Sequence, residues 1–181
     1  KQNFTFKNLG ILICLSTGMR IGEICALKWE DINIEMGVIC VNKTLQRVCL
    51  TNNSVKSKVL EMTPKTNSSK RQIPISSGLL KILKPLKRVV NDKFYILTNN
   101  LSPIEPRSYR NHYKTILTQL GLKELKFHAL RHSFASRCID AKCDYKTLSS
   151  ILGHSSVNTT LNIYVHPSHL QKKQCIDKML K

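Results

Sequence analysis

Apolar residues recur at positions 6, 9, 11, 12, 13 and 15, a spacing near 3.6 that predicts a helix over Phe6–Ser16. Thr17-Gly18 breaks the pattern. A second helix then runs from Ile21 to Leu27 and ends near Trp29, with Ile21, Ile24, Cys25 and Leu27 on its buried face. The period then falls towards two. Ile32 and Ile34, followed by Val38, Cys40 and Val41, read as strands turned at Met36-Gly37. Thr44 to Leu60 continues as a basic extended stretch. Arg71-Gln72-Ile73-Pro74-Ile75 returns as a strand, so Val59 to Ile75 is expected to be a hairpin turned at Asn67-Ser68-Ser69. A helix over Ser77–Val90, capped by Ser76 or Ser77, follows. Phe94–Leu97 reads as a short strand. Helices are expected at Pro106–Leu120, His128–Asp140, Tyr145–Leu152, Val157–Val165 and, in the tail, His169–Leu180. The pattern predicts an α+β fold, mainly α-helical, with one small antiparallel β-sheet and no internal repeat.

Length adds that 181 residues suffice for one domain with its own core, and 41% hydrophobic content favours folding over disorder. No apolar run is long enough to span a bilayer, and residues 1–10 do not read as a signal peptide. A cytoplasmic protein without membrane partners is expected. The chain opens almost directly into a helix, so further domains are expected upstream of it.

Charge changes the picture more. Twenty-nine Lys and Arg against 11 Asp and Glu give a formal net charge of +18. A compact domain so unbalanced repels itself unless a polyanion neutralises it, and nucleic acid is the first candidate. A membrane surface or a merely basic fold are the alternatives. The basic residues are spread along the chain, which favours a folded basic face over a tail. The seven cysteines form no C-x-x-C pair and read as reduced thiols, not as a disulfide frame or zinc ribbon.

Cutting a DNA strand without metal needs a nucleophile, cations for the charge on the non-bridging oxygens, and an acid for the leaving 5′ oxygen. Residues of each type are present. Arg20 lies in Thr17-Gly18-Met19-Arg20-Ile21-Gly22-Glu23, and Lys65 in Thr63-Pro64-Lys65-Thr66. His128 and Arg131 stand three apart, on one helix face. His154 follows Leu152-Gly153 at a helix end, and Tyr164 comes ten residues later (164 − 154) in Leu161-Asn162-Ile163-Tyr164-Val165-His166.

In this order the segments resemble the R…K…H-x-x-R…H…Y set of the tyrosine recombinases, most closely phage and conjugative-transposon integrases. A lone H-x-x-R is common, but the match runs from Arg20 to Tyr164. The resemblance implies the recombinase catalytic-domain fold over 1–181, with upstream core-binding and arm-binding domains absent from this chain. It implies site-specific recombination, integrating and excising a mobile element through a 3′-phosphotyrosine, with no metal, cofactor or ATP. Arg20 and Arg131 would clamp the scissile phosphate, Lys65 would be the general acid and His128 would assist proton transfer at the tyrosine. His154 would donate to the phosphate, and Tyr164 would be the nucleophile. The implied partners are double-stranded DNA, further copies of the chain in a tetrameric synapse with C-terminal tail exchange, and an excision factor. The implied setting is the bacterial nucleoid. A type IB topoisomerase shares this chemistry, and a DNA-binding module with a decayed site is the alternative from another class.

Each position also has a plainer reading. Arg20 could simply bridge to Glu23, and Glu23 reads as a structural residue that positions the loop. Lys56, Lys58 and Lys70 compete with Lys65. His128 and His132 have the H-x-x-x-H spacing of zinc ligands, but the Glu of H-E-x-x-H and a third ligand are lacking. His132 is expected to support the site and His166 to lie in solvent. Tyr95, Tyr109, Tyr113 and Tyr145 sit in settings that suit packing or surface. Two positions depart from the recombinase pattern. Ala129 stands where many members carry an acidic residue, and Ala141-Lys142-Cys143-Asp144 lacks the helix-ending glycine. A lysine in a left-handed conformation there would cost roughly 1 kcal/mol.

Overall fold

Helix α1 (Phe6–Thr17) begins where the Thr5 hydroxyl accepts from the N–H of Asn8 at 3.1 Å. It ends where Gly18 turns left-handed at φ 66° and its N–H bonds the Cys14 carbonyl. The computed structural model describes residues 4–50, 56–63, 69–164 and, in the tail, 173, 176, 177 and 179. Next come α2 (Ile21–Ala26), a 3₁₀ turn (Trp29–Asp31), β1 (Ile32–Asn33), β2 (Val38–Val41), β3 (Thr44–Leu50), β4 (Lys56–Met62) and β5 (Arg71–Pro74). The rest is helical: α3 (Ser77–Lys87), α4 (Pro106–Gln119), α5 (Ala129–Asp140), α6 (Tyr145–Leu152) and α7 (Val157–Tyr164). The mainly helical α+β reading holds, with helix ends within a few residues of those expected. No helix among the described residues is long and apolar enough to cross a membrane. The expected tail helix over 169–180 and most of the expected turn at 67–69 lie outside the described residues.

The strands differ from expectation in their pairing. Val59–Ile75 is not a hairpin. β4 pairs antiparallel with β3 as a sheet of its own, while β5 pairs with β2 in a second sheet ordered β1-β2-β5. Burial explains the choice. Ile73 on β5 stands opposite Ile39 on β2 and both are in the core, whereas β4 is part exposed and finds its partner in the equally basic β3. The β2–β5 pairing joins residues 30 (Val41 and Arg71) to 36 (Val38 and Pro74) positions apart, so no local pattern announces it. Phe94–Leu97 is not a strand either. Tyr95 makes isolated bridges to Lys28 and Asn100, and the chain turns back at Asn99, which has φ 49°.

The main core joins α1, α2, the β1-β2-β5 sheet, α3 and α4 around Ile13, Ile24, Trp29, Ile39, Leu83 and Tyr109. A smaller cluster of Ala135, Leu148 and Leu152 joins α5 to α6, and Tyr164 of α7 packs against it. Across this seam α1 meets α5. A Cβ on Gly18 would fall 2.6 Å from Phe134 Cδ1 and 2.8 Å from Leu152 Cδ2, so this position needs glycine for space as well as for φ.

The end of α5 shows a compromise. Lys142 N–H bonds the Ile139 carbonyl and Cys143 N–H bonds the Cys138 carbonyl, the paired bonds of a Schellman ending, and Lys142 takes the left-handed place at φ 61°. Cys143 and Cys138 close the turn as its apolar pair. Lys142→Gly keeps every bond and removes the Cβ strain. It is expected to stabilise the chain by about 1 kcal/mol, read as a higher urea midpoint with unchanged m-value.

One buried ion pair ties the sheet to the helices. Arg71, the first residue of β5, donates from Nη1 and Nη2 to the two carboxylate oxygens of Glu23 on α2, each at 3.0 Å. Both side chains are 5% exposed. Glu23 also accepts from the backbone N–H of Arg20 at 2.8 Å and from Arg20 Nη1 at 2.9 Å. Burial alone would raise the Glu23 pKa. The bonds and charge of Arg71, then those of Arg20, outweigh burial and hold the carboxyl below its usual range. A carboxyl whose folded pKa is depressed contributes stability above its unfolded value, about 4.3. That contribution fades as pH falls through the folded value. Arg71→Ala is therefore expected to cost about 3 kcal/mol at neutral pH, the low end for breaking a buried pair, because Glu23 keeps its bonds from Arg20. The loss should shrink as pH drops below about 4, as measured by urea unfolding of wild type and variant across pH 3–7.

Candidate active site

The site is built on the free end of α6. Gly153 turns left-handed at φ 66°, and the N–H groups of Gly153 and His154 return to the carbonyls of Ser150 and Ser149 at 3.0 and 3.1 Å. That leaves the last two carbonyls of the helix, on Ile151 and Leu152, aimed outward with the negative end of the helix dipole. Arginines take them. Arg71 Nε donates to the Ile151 carbonyl at 2.6 Å. Arg131 Nη2 and Arg20 Nη1 share the Leu152 carbonyl at 2.8 and 3.3 Å, and Arg20 Nη2 reaches the Gly153 carbonyl at 3.1 Å. Arg131 Nη1 also holds the Gly18 carbonyl at 2.9 Å, tying the turn after α1 to the same point.

Three guanidinium groups thus converge, and Glu23 is the carboxylate that two of them, Arg20 and Arg71, bond among the described residues. Arg131 is 2% exposed and its bonds go to carbonyls, not to an acid. Burial, then the charge of Arg20, pulls its pKa down to about 10, so it stays protonated at neutral pH. A guanidinium has five N–H donors. Among the described residues Arg131 spends two of them and Arg20 three, so both keep donors for a further acceptor. The cluster carries an excess of positive charge with forked donors to spare, which suits a tetrahedral oxyanion.

Two histidines are pushed towards their neutral forms. His154, just past α6, is pushed down to about 4 by burial and then by Arg131, Arg20, Arg71 and His128. Its Nδ1 lies 2.8 Å from the Thr160 hydroxyl on α7. His128 caps α5 and is lowered by burial, then by His132, Arg131 and Arg20. His132 stands one turn on, its ring edge-to-face with His128 at 4.8 Å and with Tyr164 at 5.5 Å. Tyr164 is the last residue of α7. Burial raises its pKa and the nearby Arg131 charge pulls it back.

The fold therefore gathers Arg20, His128, Arg131, His154 and Tyr164 from four separate stretches. Lys65 lies outside the described residues. β5 begins just beyond that segment, and Arg71 Nη1 donates to the Ser69 carbonyl at 3.3 Å. Two residues that the sequence does not single out take part. Arg71 reads as one more basic residue on a strand, because its partners Glu23 and Ile151 are far away in the chain. Thr160 had a usable signal: it stands four residues before Tyr164, on the same helix face. Arg20 does bridge to Glu23, as its plainer reading had it, and still reaches the site.

A cleft of about 560 Å³ opens beside Arg20 and His128, floored by Met19, Ile21 and Phe127 and edged by Arg110. Arg107, Arg110 and Lys114 of α4 follow one another at helical spacing along its exposed side. Arg107 and Arg110 continue into a second cleft of about 460 Å³ beside Arg47 and Glu105.

Comparison with known proteins fits this geometry. The chain is 33% identical over 185 residues to a tyrosine recombinase XerC-like protein of Caldanaerobacter subterraneus subsp. tengcongensis, covering 93% of this chain and 47% of that protein. It is 29% identical over 178 residues to the ICEBs1 integrase of Bacillus subtilis, covering 92% of this chain and 46% of the integrase. The chain thus spans less than half the length of these two relatives. The Tn1549 transposon integrase, solved in complex with transposon right end DNA, superposes with a TM-score of 0.76 at 26% identity, over 97% of this chain and 59% of that one. The profile of the phage integrase family matches residues 2–171, and the chain belongs to that family.

Proposed function

We propose that this chain is the catalytic part of a site-specific recombinase that cuts and rejoins double-stranded DNA to integrate and excise a mobile element. The observation that carries the reading is the meeting of Arg20 and Arg131 on the Leu152 carbonyl, with Tyr164 in electrostatic range of Arg131. The guanidinium groups bind two non-bridging oxygens of the scissile phosphate and hold the charge that builds there. The Tyr164 oxygen attacks phosphorus, its proton passing towards His128. The bond from phosphorus to the 5′ oxygen breaks, and Lys65 supplies the proton that the 5′ oxygen takes. The product is a 3′-phosphotyrosine, close in energy to the bond broken, so rejoining is the same path reversed without ATP. The arginines provide the positive charge that a metal ion supplies in other phosphoryl-transfer sites.

The net charge of +18 and the row Arg107, Arg110 and Lys114 supply phosphate contacts on either side of the cut. Upstream core-binding and arm-binding domains would complete the grip on the duplex. Four copies would form the synapse, exchanging C-terminal tails, in the bacterial nucleoid and with an excision factor setting direction. Ile176 and Met179 of the tail are 57% and 76% exposed, apolar surface that a neighbouring copy could cover.

Two cleavage experiments test the chemistry. Tyr164→Phe keeps the ring and its packing and loses only the hydroxyl. On a nicked suicide substrate it should bind DNA as wild type does and form no covalent adduct, while wild type should form the adduct undiminished in EDTA. An adduct in the variant mapped to another tyrosine, or a wild-type reaction that EDTA abolishes and Mg²⁺ restores, would overturn the mechanism.

The second uses a substrate with sulfur at the bridging 5′ position, whose thiolate leaves without a proton because thiols titrate near 8.5. Lys65→Ala should cut ordinary DNA roughly 10²–10⁴-fold more slowly and the sulfur substrate nearly as fast as wild type. Arg20→Ala and Arg131→Ala should not be rescued, since they act on the phosphate and not on the leaving group. Rescue of Lys70→Ala in place of Lys65→Ala would move the acid to Lys70.

A further inference from the structure

We propose that Thr160 is a positioning residue: its hydroxyl donates to Nδ1 of His154, fixes the imidazole with its proton on Nε2, and ties that ring to the helix carrying Tyr164. The inference rests on His154 acting as a donor to the scissile phosphate.

Three observations carry it. First, the contact is short and enclosed. Thr160 Oγ1 lies 2.8 Å from His154 Nδ1, and Thr160 is fully buried. Three other helical threonines give the hydroxyl proton to the backbone one turn earlier: Thr17 to Ile13, Thr115 to Asn111 and Thr118 to Lys114. Thr160 has no such backbone bond among the described residues, so its single proton is available for the ring.

Second, the ring's surroundings make the tautomer matter. Arg131 from α5, Arg20 from the turn before α2, Arg71 from β5 and His128 from the cap of α5 all face His154. They and its burial keep it neutral at physiological pH. A neutral imidazole has one N–H. If that N–H pointed to Thr160, Nε2 would present a lone pair, which cannot donate to a phosphate oxygen. If the Thr160 hydroxyl donates to Nδ1, the proton is forced onto Nε2 and the ring becomes a donor.

Third, Thr160 and Tyr164 are four residues apart on α7, hence on one face of the same helix. Seating α7 therefore sets both the nucleophile and the tautomer of His154. Withdrawing α7 removes both, so a copy without a seated tyrosine also lacks an oriented His154.

The test compares Thr160→Val, which keeps the shape and loses the hydroxyl, with Thr160→Ser, which keeps the hydroxyl. The ring nitrogen shifts of His154, read by NMR in the DNA-free chain, should show Nε2 protonated in wild type and in Thr160→Ser, and a mixture of tautomers in Thr160→Val. Single-turnover cleavage should fall roughly tenfold in Thr160→Val, the upper worth of one net hydrogen bond, with DNA affinity unchanged. Thr160→Ser should recover it. In a His154→Gln background, Thr160→Val should cost nothing further. A wild-type ring protonated on Nδ1, or a loss that adds fully to that of His154→Gln, would overturn the inference. The two readings fail separately. A wild type with Nε2 protonated that never cuts DNA counts against the proposed function, whereas one that cuts with the same tautomer in Thr160→Val counts against Thr160.

Discussion

The outward carbonyls at the end of α6 are the constraint around which the site is arranged. A helix end must have its last carbonyls satisfied, and this chain satisfies them with side chains drawn from distant parts of the sequence. Arg71 brings β5, Arg20 the turn before α2, and Arg131 helix α5. Each arginine thereby acquires a fixed direction. A guanidinium on a flexible surface arm would lose rotamer freedom on meeting a phosphate, whereas these are held before any ligand arrives. The helix dipole works in the same sense, because its negative end lowers the cost of gathering several cations there.

That gathering is nonetheless unfavourable, and the site answers it in two ways. Glu23 neutralises one charge and is bonded by Arg71 and Arg20 together, so the carboxylate anchors the pair without reaching Arg131. His154 and His128 answer by favouring their uncharged forms. His154 and His128 sit in the field of the arginines and are pushed towards neutrality. Among the described residues the arginines therefore hold excess positive charge, which cannot be lost by deprotonation near neutral pH. Any anion brought to these donors would relieve that repulsion as well as gain their bonds.

Much of this was legible in the sequence, and the rest was hidden for definite reasons. Helical spacing revealed α1, α4 and α6 because each has one buried face and a cap at Thr5, a leading Pro106 or Asp144. The order Arg20, His128, Arg131, His154, Tyr164 could be read because these residues lie in short stretches with recognisable neighbours. Strand pairing could not. β4 and β5 flank a polar stretch of sequence, as hairpin strands do, yet the burial of Ile73 against Ile39 decides the partner, and that contact depends on the assembled core. Arg71 was invisible for the same reason: a basic residue next to a lysine gives no hint of a carboxylate 48 positions upstream. Lys65 is a role that the sequence alone still carries.

The two helix endings on either side of α6 show where the chain accepts strain. Both α5 and α6 close with the same paired backbone bonds, and both require one left-handed residue. At the end of α6 that residue is Gly153, and the carbonyls it releases receive Arg20, Arg71 and Arg131. A side chain at that turn would bring the strain of φ 66° to the point on which three arginines depend. At the end of α5 the residue is Lys142, whose own carbonyl receives no arginine among the described residues. There the strain remains local to the turn, and the cost is a fraction of the total stability of a domain. The same backbone device thus carries a glycine where it gathers three arginines and a lysine where it merely turns the chain. Geometry is held most strictly where several charges take their direction from one helix end.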